Sequence, residues 1–420
     1  MQNVDITKFY FLRISSLWGY FKSEHFSFWM ICCYLFFEYT RPQAIFPIID
    51  FLPWAQLFLL GALVGAFSDK TVAWVPSIVT VVLCIFALVI FMSSQLAYYP
   101  EVSKKHYIDF YSWFVVYFLI VAIVNTRSRY YVFVIIFLLC AAKISFGTSK
   151  AWVMRGFAFT GWGLMGPKGY FQNSGELAIL MLTLFPVAFY IFSYLKDKVT
   201  KIEFVLLVLF WLTPVMTIMG ASSRGSQIAL AAQLIVMFRK SLFRPKALFG
   251  VLAFVFILFN ILPEEQKNRF ETAGEDKTSQ QRLLYWENGW EMIKDHPFTG
   301  VGYFNFPPYY ADHYPEDMLY EHAELPHNIF IQVGTDAGFT GLIPFVFLCF
   351  YPLIYTRFLL KHKEREPFLV LSLVGVAYGI FGFVLAGQFV TVAYYPFLWL
   401  GLAFFVSGNN VLKKCLKTAS

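Results

Sequence analysis

Three residues in the second half of the chain carry side chains suited to chemistry at a membrane face: Arg224, Arg282 and His327. A guanidinium is permanently charged and presents a planar fork that fits phosphate oxygens, so two of them suit a pyrophosphate carried on a lipid. A neutral imidazole takes a proton from a hydroxyl near pH 7. A clamped pyrophosphate and a base facing a hydroxyl are together what glycosyl transfer needs. Each residue also has a plainer reading. Arg224, in the GASSRGSQ turn between two apolar runs, equally suits a snorkelling cation or a cap on the preceding helix's carbonyls; Arg282 suits a solvated surface residue, and His327 a helix cap. Lys143, near the outer end of the fifth apolar run, either pairs with a donor phosphate or snorkels.

The elements that must position these residues are helices in a bilayer. The chain of 420 residues is 58% hydrophobic and 14% charged, has 50 Phe and a mean hydropathy of +0.60. Soluble domains carry roughly a quarter of their residues charged. The expected fold is an all-α polytopic membrane protein with about 12 transmembrane helices and one large extracytoplasmic loop, residues 263–327, inserted in a single membrane domain spanning 1–420. Spans of about 20 apolar residues are predicted near 25–39, 54–67, 72–93, 107–125, 129–146, 175–194, 202–220, 224–238, 247–262, 340–360, 367–386 and 391–411. The first apolar run is followed by Glu38 and Arg41 where a cleavage site would need small residues, so it reads as the first anchor.

Placing both termini on the cytoplasmic side puts twenty of the 33 Lys and Arg inside, including the pairs Arg127/Arg129, Arg239/Lys240 and Arg357/Lys361. That is the asymmetry membrane insertion favours, so the formal +7 charge reflects topology and calls for no nucleic-acid partner. The long loop is then extracytoplasmic. It is acidic, with thirteen Asp or Glu against five Lys or Arg between Glu264 and Glu324. The six cysteines fall in apolar runs or the basic tail and form no metal-binding or disulfide pattern.

Within the loop, Thr278 to Gln281 resembles a capping box, and Leu283, Trp286, Trp290 and Ile293 recur at helical spacing before Pro297. This predicts an amphipathic helix lying on the membrane domain. The run that follows His327 is longer than one span requires, and Gly334, Gly338 and Gly341 mark a break. Residues 147–176, rich in Gly and aromatics, read as an interfacial loop. Three weaker candidates remain. Asp312, His313, Glu316, Asp317, Glu321, His322 and Glu324 hold metal-ligating groups, although solvated acidic loops are common. Tyr303, Phe304, Phe306, Tyr309, Tyr310 and Tyr314 suit sugar stacking or a loop core. Ser222 and Ser223 suit a nucleophile, with no partnered base in sequence.

The Ser223-Arg224-Gly225 turn, the block RLLYWENGWEMIKDHPFTGVGYFNF from Arg282 and the segment HNIFIQVGTDAGFTGL from His327 resemble the O-antigen ligase and polysaccharide polymerase superfamily of bacterial envelopes. The resemblance implies a metal-independent, inverting transferase of the GT-C type, without cofactor. It would move a glycan from an undecaprenyl-pyrophosphate donor to a glycan, lipid-core or protein hydroxyl at the periplasmic face of the inner membrane. It implies Arg224 and Arg282 as the pyrophosphate clamp and His327 as base. The expected activity is that of a ligase, with a polymerase of the same superfamily as the alternative. A lipid-linked glycan flippase is the competing class. Against it, the notable cations gather at one face, whereas transporters favour repeats and sites at the bilayer midplane.

Overall fold

Apolar composition over long runs leaves the backbone to satisfy its own hydrogen bonds, and helices are the local way to do so. The computed structural model describes residues 13–158, 163–242, 249 and 276–418. Besides isolated turns, they form α1 (Ile14–Ser23), α2 (Phe26–Leu35, continued by a π turn to Thr40), α3 (Trp54–Ser68), α4 (Ile78–Gln95), α5 (Pro100–Ile123), α6 (Arg127–Met154) and α7 (Ser174–Leu195). The second half holds α8 (Lys201–Gly220), α9 (Arg224–Leu242), α10 (Lys277–Asp295), α11 (Phe306–His313), α12 (Ile329–Leu359), α13 (Pro367–Ala386) and α14 (Pro396–Thr418).

Among the described residues, seven helices, α4 to α8, α12 and α13, are long and apolar enough to cross a membrane. The expected twelve spans are thus met in part. Of the remaining predicted spans, α2, α3, α9 and α14 fall below that measure, and the one at 247–262 lies outside the described residues. Several boundaries differ from expectation for local reasons. The span predicted from residue 72 starts at Ile78, where the Ser77 hydroxyl accepts the Thr80 N–H at 3.1 Å. The predicted 147–176 loop begins later, because α6 continues to Met154. The span predicted from 340 begins at Ile329, and of its three glycines Gly338 makes the break, at φ 62° and ψ −165°. That conformation is open only to glycine. The span predicted from 391 begins at Pro396, because residues 391–395 connect two helices and the Ala393 N–H donates to the Gln332 side chain at 3.3 Å.

One end of the bundle is tied by charge. Arg129 is fully buried, pairs with Glu24 at 2.7 Å and Asp69 at 3.2 Å, and donates to the Ile123 carbonyl at 3.0 Å. Burying such a charge is costly, and full partnering offsets the cost. Arg127 pairs with Glu366 at 3.1 Å, and Lys414 donates to the Asn125 carbonyl at 3.4 Å. The turns that the charge tally placed on one side therefore meet at one end.

The described part of the long loop, from Asp276, packs on the other end. Its helix α10 starts from an Asp276 cap, whose Oδ1 accepts the Ser279 N–H at 3.0 Å, and not from the predicted Thr278 box. Its buried face is Gln281, Tyr285, Asn288, Gly289, Met292 and Ile293, while Leu283 and Trp290 of the predicted stripe are 56% and 45% exposed. The difference arises because α10 is clamped from two sides. Gly289 and Ile293 lie against α12, and a Cβ on Gly289 would come within 2.5 Å of Ile331. On the other side, Asn288 donates to Tyr310 at 3.1 Å and Asp317 at 2.7 Å, so polar residues occupy helix positions that the apolar stripe alone does not predict.

The loop is pinned to the membrane domain at backbone level. Val301 donates to the Thr335 carbonyl at 2.7 Å, and Tyr98 donates to the Val301 carbonyl at 3.1 Å. Phe304 donates to Asp336 Oδ1 at 3.0 Å, a carboxyl fully buried beside the α12 break. The Pro297 carbonyl lies where a side chain on Gly338 would stand and accepts the Phe339 N–H at 2.8 Å.

Candidate functional site

Arg224 is the first residue of α9, one tight turn after α8. The Gln227 side chain donates to the Met219 carbonyl at 3.1 Å and so caps the end of α8, the role that one sequence reading gave to Arg224. The turn is set by close packing: a Cβ on Gly225 would lie 2.5 Å from the Phe389 ring. Arg224 then reaches Asp276 Oδ2 at 3.4 Å, both side chains about a third exposed. Burial pushes the Asp276 carboxyl up, but the Ser279 hydroxyl and N–H together with Arg224 outweigh it and leave the group below its ordinary value.

Arg282, in the second turn of α10, is half-buried. Burial lowers its pKa, opposed by the nearby Asp276 and reinforced by the charge of Arg224. Two like charges thus stand in one field, and among the described residues the carboxylates of Asp276 and Glu324 act on Arg282 against it. The Arg282 Nε is buried and has no hydrogen-bond partner among the described residues, an arrangement that folded proteins rarely leave unexplained.

His327 sits in the left-handed region at φ 52°, a position that costs a non-glycine residue energy. It is held there by its N–H, which donates to the Thr391 hydroxyl at 3.1 Å. The helix cap predicted as its plain role belongs to Asn328, whose side chain accepts the Phe330 and Ile331 N–H groups at 2.9 and 3.2 Å. The His327 Nε2 lies 3.1 Å from Glu324 Oε2, and Nδ1 lies 3.5 Å from the Thr391 hydroxyl. Burial lowers the imidazole pKa, the charge of Arg282 lowers it further, and Glu324 opposes both. The neutral form of the ring is therefore favoured. With its hydrogen on Nε2 toward Glu324, Nδ1 keeps a lone pair able to accept a proton, and it faces the Thr391 hydroxyl at 3.5 Å.

Arg224, Arg282 and His327 thus share one electrostatic neighbourhood at one end of the bundle. Lys143 joins a different group. Its Nζ donates to the Thr40 carbonyl at 3.0 Å, and it lines a cleft of about 480 Å³ with Arg155, Thr148 and Leu164.

Several of the other sequence candidates have local structural roles. Tyr303, Phe306 and Tyr310 are fully buried, and Phe306 and Tyr310 belong to the loop's own core with Tyr285 and Met292. Asp312 accepts from the Tyr99 hydroxyl, and Asp317 from Asn288. Among the described residues no three His, Cys, Asp or Glu are grouped to hold a metal. The Ser223 hydroxyl bonds Ser226 at 3.0 Å.

Sequence reasoning missed three members of the site: Asp276, Glu324 as partner of His327, and Thr391. It also missed the role of segment 387–395, which reaches the turn of Arg224 through Phe389 under Gly225 and the start of α12 through Gln388, bonded to Asn328 at 3.2 Å, and Thr391 under His327. The one available signal was the polar pair Gln388 and Thr391 interrupting an apolar stretch.

Residues 205–346, about a third of the chain, match the family described as O-antigen ligase. The matched segment contains Arg224, Arg282 and His327, and the match supports the resemblance to the O-antigen ligase and polymerase superfamily. No curated protein matches the chain.

Proposed function

We propose, for a chain whose residues 205–346 match the O-antigen ligase family, that it transfers a glycan from an undecaprenyl-pyrophosphate donor to an acceptor hydroxyl at the periplasmic face of the bacterial inner membrane. The observation that carries this reading is the pair of arginines beside Asp276, with the buried Arg282 Nε unpartnered among the described residues, next to a histidine whose pKa is lowered. The donor pyrophosphate displaces Asp276 from Arg224 and supplies an acceptor to Arg282 Nε, which has none among the described residues. The acceptor hydroxyl gives its proton to His327 as its oxygen attacks the anomeric carbon. The bond from that carbon to the phosphate oxygen breaks, and the pyrophosphate leaves with the electron pair, its charge held by Arg224 and Arg282. Attack opposite the leaving group inverts the anomeric centre. Glu324 and Thr391 hold the imidazole in its working orientation, and no step requires a metal.

The ligase form is favoured by the folded loop over the site, which gives a bulky acceptor a surface to rest on. Transfer by the purified, reconstituted protein, with and without chelator, tests the chemistry. His327→Ala and Arg224→Ala should each lose about a hundredfold or more in rate while inserting normally. Near-normal transfer by His327→Ala would remove the base assignment. Mass spectrometry of lipid-linked glycans in a deletion strain tests the class: long undecaprenyl-linked chains accumulate without a ligase, single repeats without a polymerase.

A further inference from the structure

The helix α6 is longer than a membrane needs. At 1.5 Å per residue its 28 residues extend about 42 Å, against about 30 Å of hydrocarbon. Its first residue, Arg127, pairs with Glu366 at the charged end of the bundle. Counted from there, Lys143 lies about 24 Å along, close below the far hydrocarbon boundary, and Arg155, just past the helix end, lies about 42 Å along, at headgroup height. Both side chains are exposed. Between them Gly147 is open, since a Cβ added there meets nothing within 4 Å.

The cleft they line, about 480 Å³ with Thr148, Leu164 and Met165 on its walls, is within the size range of small-molecule sites. The wall opposite α6 backs the reaction turn: a Cβ on Gly163 would lie 2.6 Å from the Ser222 N, two residues before Arg224. A helix C-terminus carries about half a negative charge and by itself repels anions, but two full cations on one flank outweigh it. A cation at the hydrocarbon boundary with a second one above it matches the height of a lipid phosphate.

We propose that the Lys143 and Arg155 cleft holds the phosphate of a lipid-anchored acceptor, a site separate from the donor clamp of Arg224 and Arg282. The identity of the occupant as acceptor rests on the transferase reading above. A bulk anionic phospholipid offers the same phosphate, and the test separates the two.

The full-length protein carrying Gly147→p-benzoylphenylalanine is photo-crosslinked in cells, and the attached lipid is identified by mass spectrometry. The expected adduct is a phosphorylated, sugar-bearing lipid without a polyprenyl chain, and a polyprenyl-pyrophosphate adduct, which is the donor, overturns the proposal. Lys143→Gln with Arg155→Gln should reduce its yield at least about tenfold, the factor given by losing about 1.4 kcal/mol of charge-assisted bonding. Lys143→Arg with Arg155→Lys should keep the yield. An ordinary phospholipid adduct, no adduct, or a yield indifferent to the Gln pair overturns the proposal. The adduct should persist in a His327→Ala background. If that variant still transfers glycan, the base assignment fails, and the adduct alone decides the cleft.

Discussion

The Nε2 of His327 lies 3.1 Å from Glu324 Oε2, while the Arg282 charge acts on the same imidazole from the opposite sense: the acid raises its pKa and the guanidinium lowers it. Burial leaves the balance below the ordinary histidine value. The proposed base would then act in its neutral form, and transfer should be lost as pH falls through that lowered pKa.

The two neighbours should therefore move the acid limb of the pH profile in opposite directions. Glu324→Gln removes the raising charge and shifts the limb to lower pH; Arg282→Gln removes the lowering charge and shifts it to higher pH. The measurement is kcat/KM against pH on the reconstituted protein. Shifts of the same sign would show that His327 is not the titrating base.

Thr391 holds His327 in its left-handed conformation through one hydrogen bond. Thr391→Val keeps the shape and removes the acceptor, leaving a partly buried N–H unpaired at a cost of about 1 kcal/mol. We expect kcat to fall several-fold with KM little changed, and Thr391→Ser to restore it. An unchanged kcat in the valine variant would show that the strained histidine is held by other contacts.

Gly225 allows the Arg224 turn to close on Phe389. Gly225→Ala places a methyl 2.5 Å from the ring, an overpacking worth about 1–3 kcal/mol. Transfer should fall as Arg224 is displaced, and Phe389→Ala in the same chain should recover part of it. Full activity in Gly225→Ala alone would mean that the turn position is loosely determined.

Sidedness is testable by cysteine labelling. Lys277→Cys, at the start of α10, should react with an impermeant reagent from the periplasm, whereas Lys363→Cys, beyond α12 at the opposite end, should react only after the inner membrane is opened. The reverse pattern inverts the topology and removes the site from the periplasm.

What the sequence determined by itself is local in origin. Apolar runs specify helices because a backbone in lipid must satisfy its own hydrogen bonds, and the three glycines Gly334, Gly338 and Gly341 announce a break, which the structure assigns to Gly338. The gathering of Arg224, Arg282 and His327 was also legible, through the resemblance of the segments that carry them. Tertiary structure alone decided which groups complete those residues. Asp276 meets Arg224 across 52 positions and Thr391 meets His327 across 64, while Lys143 donates to the Thr40 carbonyl and shares a cleft with Arg155, away from the arginine pair. It likewise decided the buried face of α10, where Asn288 and Gln281 lie inward because α11 and the turn after it supply their hydrogen bonds. Periodicity registers burial against a uniform apolar surface. It carries no information about a polar partner brought in from a distant part of the chain, because that partner's position is set by packing between helices and not by spacing along one.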